Sequence, residues 1–365
     1  MRRPIAVLAM LLVGMWVSAI PASAATRPAV VVLGIPGLQW DDVTSTGTPA
    51  LWRLATTGSA GALSIRSAAA LTCPADGWLT IGAGNRVRAR RGCTAAPSAV
   101  PLVGAQATVS GFTDISRDNR GLDFGAVPGI LASALHSVGD CVSAVGADAG
   151  LAAADRDGRV DRLTGAVSAA ALAGCPVTVV AGPVVTSPSE AAAADAVVAA
   201  VEAARPAGSV LLVVGLSDTD PLGRAHLHVA IAAGPGFGPG ELRSQSTRRA
   251  PYVQLIDVAP TVLELRGALA APGVASAVDG QPWHATGHPP PAITSLVRAD
   301  TAAGAVRAAL PWAVALLVTL VTAGAALSVT RRRRLAAVVS STALAAPVCT
   351  YLVNLGPWYE SPAPT

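Results

Sequence analysis

The sequence predicts an α/β fold of three layers, in which helices cover both faces of a central, mainly parallel sheet. Short apolar runs alternate with segments of helical periodicity along most of the chain, as in sheets built from β-α-β units. At 210–214 every residue is Val or Leu, which is typical of a strand buried on both faces.

The elements can be placed in order along the first half of the chain. The first strand is predicted at 29–33, and Thr48 and Pro49 predict the capped start of a helix that ends by Gly58. A second strand is expected at 62–65. The next predicted elements are a helix at 125–136 and strands at 141–145 and 177–181.

The second half of the chain contains two further capped helix starts. Ser187, Pro188 and Glu190 form a capping-box pattern, which predicts an Ala-rich helix that runs to Arg205. A strand is expected at 227–232. After it, Asp257 is expected to cap a helix that continues through 265.

The N-terminal segment 1–24 is predicted to be a secretory signal peptide. Arg2 and Arg3 precede an apolar run, and the small residues at 22–24 suit cleavage. An uncleaved membrane anchor is the alternative.

A membrane span is predicted at 310–330, because 310–329 contains no charged residue and is long enough to cross a bilayer. The Arg cluster at 331–334 is expected to stay cytoplasmic. The main domain, 26–283, is then extracytoplasmic at the cell membrane, and 284–309 is a linker. A second span at 335–355 is a weaker prediction, because polar residues interrupt it. A longer, transporter-like protein with more spans is a further possibility.

The cysteines predict disulfides. Four of the five precede the predicted span, in a compartment that permits disulfides. Three pairings are open for these four. We favour Cys73–Cys93 and Cys141–Cys175, because each closes a modest loop.

Several motifs between residues 28 and 283 occur in a characteristic order. They are a strand that runs into Gly34 and Gly37-Leu38, a Thr-Pro helix start at 48–49, a Thr-x-Pro step at 72–74 and Asp-x-Ala-Pro-Thr at 257–261. Together they resemble the alkaline phosphatase superfamily, which includes phosphodiesterases and sulfatases. The chain contains Arg but no Lys, and it is rich in Ala, Gly and Pro. This composition indicates a GC-rich genome and an actinobacterial source.

The resemblance implies a role for Thr72. In that superfamily a hydroxyl at a helix N-terminus attacks phosphorus or sulfur, assisted by two zinc ions or by one calcium ion. Thr72 would be this nucleophile. The alternative is a Thr that only caps the helix beginning at Pro74.

The metal ligands of the superfamily are mostly missing from this chain. Pro36 stands where the first metal-binding Asp is expected, and Thr219 follows Asp218 where a His is expected. Asp218, His226 and His228 remain as candidate ligands. The two histidines are two residues apart on a predicted strand, so their side chains share a face. They would hold at most one divalent metal, zinc. A structural His pair is the alternative.

Residues 73–76 argue against a formylglycine sulfatase. That group of enzymes uses Cys-x-Pro-x-Arg, whereas Pro74 directly follows Cys73 here and Asp76 replaces the Arg. We also expect Asp76, close to Thr72, to repel an anionic substrate.

Two functional hypotheses follow. The favoured one is a membrane-anchored, non-catalytic module with a binding or assembly role at the cell envelope, where a protein or a phosphate-containing molecule is the partner. The alternative is a phosphoric ester hydrolase or phospho-group transferase that uses Thr72. The net charge of +4 comes largely from the two Arg-containing membrane signals, so no nucleic-acid partner is predicted.

Overall fold

A computed structural model describes residues 27–89, 93, 99–101, 105–219, 223–330, 332–353 and 356. The predicted signal peptide lies outside these residues. The strands are β1 (Val30–Ile35), β2 (Ser59–Ser64), β3 (Ala99–Pro101), β4 (Ala107–Val109), β5 (Val142–Val145), β6 (Arg159–Val160), β7 (Arg162–Thr164), β8 (Val177–Ala181), β9 (Val210–Gly215), β10 (Leu227–Ala233), β11 (Gly240–Ser244), β12 (Tyr252–Gln254) and β13 (Trp283–Ala285).

The helices in the described part of the chain are α1 (Pro49–Thr57), α2 (Pro74–Ala83), α3 (Phe112–Arg120), α4 (Ile130–His136), α5 (Gly150–Ala153), α6 (Ala169–Leu172), α7 (Pro188–Ala204), α8 (Val258–Leu265), α9 (Val274–Ala277), α10 (Ile293–Val329) and α11 (Arg333–Val353). Short 3-10 turns occupy Trp40–Asp42 and Leu255–Asp257.

A large mixed sheet forms the centre of the fold. Its strand order is β13-β11-β2-β10-β9-β1-β8-β5-β7, and β12 also pairs with β2. The central pairs β9-β1, β1-β8 and β8-β5 are parallel, whereas β10 runs antiparallel to both of its neighbours. The prediction of a mainly parallel sheet is therefore accurate for its centre, whereas β10 and the edge strand β13 run in the opposite direction.

Both faces of the sheet are covered, as β1 illustrates. Val30 and Val32 belong to one apolar core, together with side chains of α2, α4 and α8. Val31, Leu33 and Ile35 belong to a second core with side chains of α1 and α7. Since successive residues of a strand point to opposite faces, this division places helices on both sides of the sheet.

Two of the three predicted helix caps differ from expectation. Ser187 accepts a hydrogen bond from the Glu190 N–H, which confirms the capping box of α7. The Thr48 hydroxyl does not cap α1; it accepts from the Thr44 N–H and donates to the Asp42 carbonyl. The N–H groups at the start of α1 are instead bound by the Asp195 carboxylate of α7.

The Asp257 side chain likewise does not cap α8. Its carboxylate accepts hydrogen bonds from the Gln254 and Gln281 N–H groups and from the Ser246 hydroxyl. It thus joins the turn before α8 to the segments that carry Ser246 and Gln281. A helix-start pattern does not reveal the bonds to Ser246 and Gln281, because these two partners arrive through tertiary packing.

The predicted linker at 284–309 is not irregular. Its start belongs to β13, and α10 begins at Ile293. Leu296 on the first part of α10 is buried in the second core. The first turns of α10 therefore pack on the main domain, because they carry an apolar side chain that the core accommodates.

Among the described residues, α10 is the one helix long and apolar enough to cross a membrane. Side chains in its second half are exposed, with Trp312 at 75% and Val329 at 84%. The predicted second span falls in α11, which packs beside α10 but does not reach the same hydropathy.

Both favoured disulfide pairings are confirmed. Cys73 is bonded to Cys93, and Cys141 is bonded to Cys175. Cys349 on α11 is an exposed free thiol.

Candidate functional site

The candidate site lies at one edge of the sheet. β1 and β9 are parallel and end there at Ile35 and Gly215. Because β10 is antiparallel to both β9 and β2, the end of β2 and the start of β10 lie at this same edge. The segments that follow β2 and β9 and precede β10 carry Thr72, Asp218 and His226. Topology therefore brings residues that are far apart in sequence to the place where α/β proteins usually bind ligands.

The turn after β1 closes one side of this edge. Gly37 has a φ of +83°, and a β-carbon there would lie 2.2 Å from the Val185 carbonyl oxygen. Glycine is therefore required at this position of the motif. Pro36, next to it, is buried and offers no side-chain lone pair to a cation.

The Thr72 hydroxyl is engaged in two hydrogen bonds. It donates to the Ile65 carbonyl over 2.7 Å and accepts from the Ser67 N–H over 3.0 Å. The residue is 2% exposed. Its side chain caps no helix, because Cys73 is the N-cap residue of α2. The hydroxyl thus joins the loop that follows β2 to the start of α2, which neither sequence interpretation of Thr72 anticipated.

Asp218 is the centre of the cluster. Its carboxylate accepts hydrogen bonds from the Thr72 N–H over 3.3 Å and from the His226 N–H over 3.2 Å. Its own N–H donates to the Thr72 carbonyl over 3.0 Å. The His228 Nε2 lies 3.4 Å from its Oδ1 atom. The four residues singled out from the sequence therefore meet in the folded chain, and Asp218 connects them.

The two imidazoles do not act as a pair. His226 precedes β10, and its Nδ1 atom lies 2.8 Å from the Asp300 carboxylate of α10. His228 is completely buried within β10, and its Nδ1 atom lies 3.1 Å from the Leu38 carbonyl oxygen. The rings have different partners, so the expectation of a shared face for metal binding is not met.

These residues do not fit a zinc ion. Within the described ranges, no group of three or more His, Cys, Asp or Glu side chains is placed to hold a metal. A zinc site needs ligand atoms that converge on one point with their lone pairs free. Here the Asp218 carboxylate accepts backbone N–H groups, and the His226 Nδ1 atom is bound to Asp300. The two nitrogens of His228 face the Leu38 carbonyl and Asp218 itself.

Asp76 and Cys73 are structural. The Asp76 side chain is 1% exposed and accepts hydrogen bonds from the Cys73 and Ala89 N–H groups. Burial raises the pKa of its carboxyl group, and these hydrogen bonds oppose that rise. The expectation that Asp76 repels a substrate is therefore wrong, since its carboxylate is directed into the protein. Cys73 is held in its disulfide and offers no free thiol.

A cavity of about 410 Å³ opens beside this cluster. Thr72, Asp218 and His226 form part of its wall, and three arginines, Arg66, Arg86 and Arg307, line it as well. Among the described residues that line the cavity, these three arginines outnumber the acidic side chains, of which Asp218 is the one present, so this lining carries a net positive charge. These arginines could not be singled out from the sequence, because they lie on three separate segments and no local motif marks them.

The Arg86 side chain is held in place but lacks a charged partner. Its guanidinium lies over the Phe124 ring, 5.7 Å from the ring centroid. Among the described residues, its buried Nε atom finds no hydrogen-bond partner. Within the part of the chain that the structure describes, neither Arg66 nor Arg86 forms an ion pair with an Asp or Glu. Guanidinium donors of this kind suit oxyanions such as phosphate.

Comparisons with known proteins give a fold-level likeness. No protein-family model and no curated protein matches the chain. The chain is similar to an inactive form of murine ectonucleotide pyrophosphatase/phosphodiesterase 5 in complex with AMP, at 14% identity and a TM-score of 0.33. The match covers 51% of this chain and 56% of that one, so the chain spans little more than half of that protein's length.

A second similar structure is a Bacteroides thetaiotaomicron protein, labelled 4S-sulf, from a locus for the metabolism of multiple glycosaminoglycans. Here the identity is 12% and the TM-score 0.36, over 70% of this chain and 75% of that one. Both neighbours have folds of the alkaline phosphatase superfamily. At these TM-scores and identities, neither structure assigns a role to a residue of this chain.

Proposed function

We propose that this chain is a membrane-anchored protein of the cell envelope, with an extracytoplasmic domain of alkaline-phosphatase-like fold. In this proposal the site binds an anionic ligand without a metal ion and without covalent catalysis. This proposal extends the favoured hypothesis from the sequence, a non-catalytic binding module, by naming its binding site and the negative charge of its ligand.

The state of the Thr72 hydroxyl is the observation that carries the proposal. A nucleophilic hydroxyl needs a base or a metal ion to take its proton, and an open path to the substrate. The Thr72 hydroxyl instead donates to a backbone carbonyl, which cannot accept the proton permanently, and it is nearly inaccessible. The groups around it stabilise a fold and leave no nucleophile available.

The charge of the adjoining cavity supports anion binding. Arg66, Arg86 and Arg307 supply hydrogen-bond donors that suit the oxygens of a phosphate group. The Asp218 carboxylate would oppose an anion, but it already accepts two backbone N–H groups and faces His228. Hydrogen bonds of this type offset the negative charge and leave the arginines as the dominant groups.

The membrane location rests on α10 and on the Arg cluster at 331–334. If α10 spans the bilayer with this cluster in the cytoplasm, the domain that precedes it lies outside the cytoplasm. The two disulfides agree with an oxidising compartment.

The proposal is tested by measuring metal content and turnover in the full chain purified in a neutral detergent. Bis(p-nitrophenyl) phosphate and p-nitrophenyl phosphate would be supplied with Zn²⁺, Ca²⁺ or Mg²⁺. We expect no stoichiometric metal and equal background rates for the wild type, Thr72→Ser and Thr72→Ala. Bound zinc together with turnover that is lost in Thr72→Ala would overturn the proposal in favour of the phosphoric ester hydrolase.

A further inference from the structure

A second, larger cavity lies next to the cationic cavity. This cavity has a volume of about 830 Å³ and shares Ala70, Ala225, His226 and Arg307 with the first. The two spaces therefore adjoin along the residues that precede β10. One ligand of sufficient length would occupy both.

The second cavity is a groove between the main domain and α10. Thr301, Gly304, Ala305 and Ala308 form its helical side, and Leu71 lies on the opposite side. A β-carbon at Gly304 would meet no atom within 4 Å, so the groove is open at this point. Arg224 and Asp300 also line the groove, and the Asp300 carboxylate contacts His226. The small and apolar residues that suit a hydrocarbon chain are Leu71, Gly304, Ala305 and Ala308.

The groove leads to the predicted membrane surface. The helix that lines it is the same α10 that contains the apolar stretch beginning at Leu310. Helical residues rise by about 1.5 Å each, so Arg307 lies roughly 5 Å before that stretch. Leu310 and Trp312 are 57% and 75% exposed, as expected of side chains at a bilayer boundary.

We propose that the two cavities bind a single anionic membrane lipid. The phosphate headgroup would lie among Arg66, Arg86 and Arg307, and the first part of an acyl chain would lie along the α10 groove. This inference rests on the proposed function, in that it names the anionic ligand of the same site. No bond is formed or broken in the process.

A lipid accounts for both cavities, whereas a free phosphate would use only the cationic one. The ligand would also have a direct source, because Ala308 of the groove lies two residues before the predicted span. The phosphate would be held by Arg307 of α10 and by Arg66 and Arg86 of the main domain.

The test measures lipid binding by native mass spectrometry of the full chain in a neutral detergent. The probes are dioleoyl phosphatidic acid, dioleoyl phosphatidylcholine with the same chains, and glycerol 3-phosphate without chains. We expect phosphatidic acid to bind at least about tenfold more tightly than phosphatidylcholine, because its phosphate carries more negative charge and is not masked by choline. We expect a similar preference over glycerol 3-phosphate, because only the lipid buries an acyl chain.

Variants separate the two cavities. Arg66→Gln and Arg86→Gln are each expected to weaken phosphatidic acid binding by about tenfold. Gly304→Trp would fill the groove and weaken phosphatidic acid binding without changing that of glycerol 3-phosphate. Arg117→Gln, an exposed arginine of α3 that lines neither cavity, is the matched control and should bind like the wild type. Circular dichroism would establish that each variant is folded.

Equal binding of phosphatidic acid and phosphatidylcholine would overturn the lipid site, as would a folded Gly304→Trp variant that binds phosphatidic acid normally. Glycerol 3-phosphate bound as tightly as phosphatidic acid would overturn the lipid site and leave the proposed anion-binding function. Release of phosphate from phosphatidic acid that depends on Thr72 would overturn the non-catalytic function and leave the lipid site.

Discussion

The Nδ1 atom of His226 and the carboxylate of Asp300 lie 2.8 Å apart, and this contact joins the candidate site to α10. The other oxygen of Asp300 accepts a hydrogen bond from the Leu227 N–H at the start of β10. The Arg307 guanidinium adds a third link, to the Ala225 carbonyl. The helix with the apolar stretch is thus fixed to the same segment that carries His226.

Replacing Asp300 should loosen this connection. Asp300→Ala removes the acceptor for the Leu227 N–H and the partner of His226, so we expect the free energy of unfolding to fall by about 1–3 kcal/mol. Urea unfolding of the full chain in detergent, followed by tryptophan fluorescence, would measure it. Asp114→Ala, on the exposed face of α3, is the control and should change stability by less than about 0.5 kcal/mol. An equal effect of both substitutions would contradict the assigned role.

Thr72 should contribute to stability through its hydroxyl. Thr72→Val keeps the shape of the side chain but leaves the Ile65 carbonyl and the Ser67 N–H without partners. We expect a loss of about 1–3 kcal/mol for Val and a much smaller loss for Ser, which retains the hydroxyl. The same urea experiment would compare them. Equal stability of the wild type and Thr72→Val would show that the two hydrogen bonds are unimportant.

Asp195 should stabilise α1 from a distance. Its carboxylate accepts hydrogen bonds from the Ala50 and Leu51 N–H groups, so Asp195→Ala leaves two buried donors unpaired. The expected loss is about 1–2 kcal/mol, similar to that of a helix cap within one segment. Asp157→Ala, in an exposed turn, is the control. Hydrogen exchange should show faster exchange at the start of α1 in Asp195→Ala alone.

The Cys141–Cys175 disulfide should stabilise the part of the sheet that contains β5 and β8. The bond closes a loop with a sequence separation of 34. Loop-closure entropy predicts that the Cys141→Ser, Cys175→Ser double variant loses about 3–4 kcal/mol. Cys349→Ser removes only the exposed free thiol and should leave the unfolding curve unchanged. A double variant as stable as the wild type would contradict this expectation.

Asp257 should make stability depend on pH. Burial raises the pKa of its carboxyl group above the ordinary value of 3.8, although hydrogen bonds from Ser246, Gln281 and Gln254 oppose the rise. A raised pKa in the folded state contributes stability that is fully present below 3.8 and is lost as pH rises through the raised value. The Asp257→Asn substitution replaces the carboxyl group with an amide, which does not ionise, so the variant lacks this pH-dependent contribution to stability.

The unfolding free energies of the wild type and Asp257→Asn should therefore be compared at several pH values. We expect the difference, wild type minus variant, to shift in favour of the wild type as pH falls from neutral towards 3.8. A shift in the opposite direction would mean that the hydrogen bonds outweigh burial and that the folded-state pKa is lowered.

The parts of the fold that depend on local pattern were predicted from the sequence. The strand at 177–181 agrees with β8, and the capping box at Ser187 begins α7. Both disulfide pairings followed from loop length. The interpretations of Thr48, Asp257 and Asp76 failed for different reasons. Thr48 binds the loop before its helix, and Asp257 binds Ser246 and Gln281 from other segments. The Asp76 carboxylate is buried against the Cys73 and Ala89 N–H groups.

The sequence by itself determined the alternation of strands and helices and the apolar stretch of α10, because hydrophobic period and residue type are local properties. It favoured one pairing of the cysteines among three, and a family resemblance singled out Thr72, Asp218, His226 and His228. Only the tertiary structure decided what those residues contact. The antiparallel course of β10 brings His226 to Asp218, and the packing of α10 brings Asp300 and Arg307 to the same edge. The charge of a cavity depends on which distant segments converge there, and that convergence is a property of the folded chain.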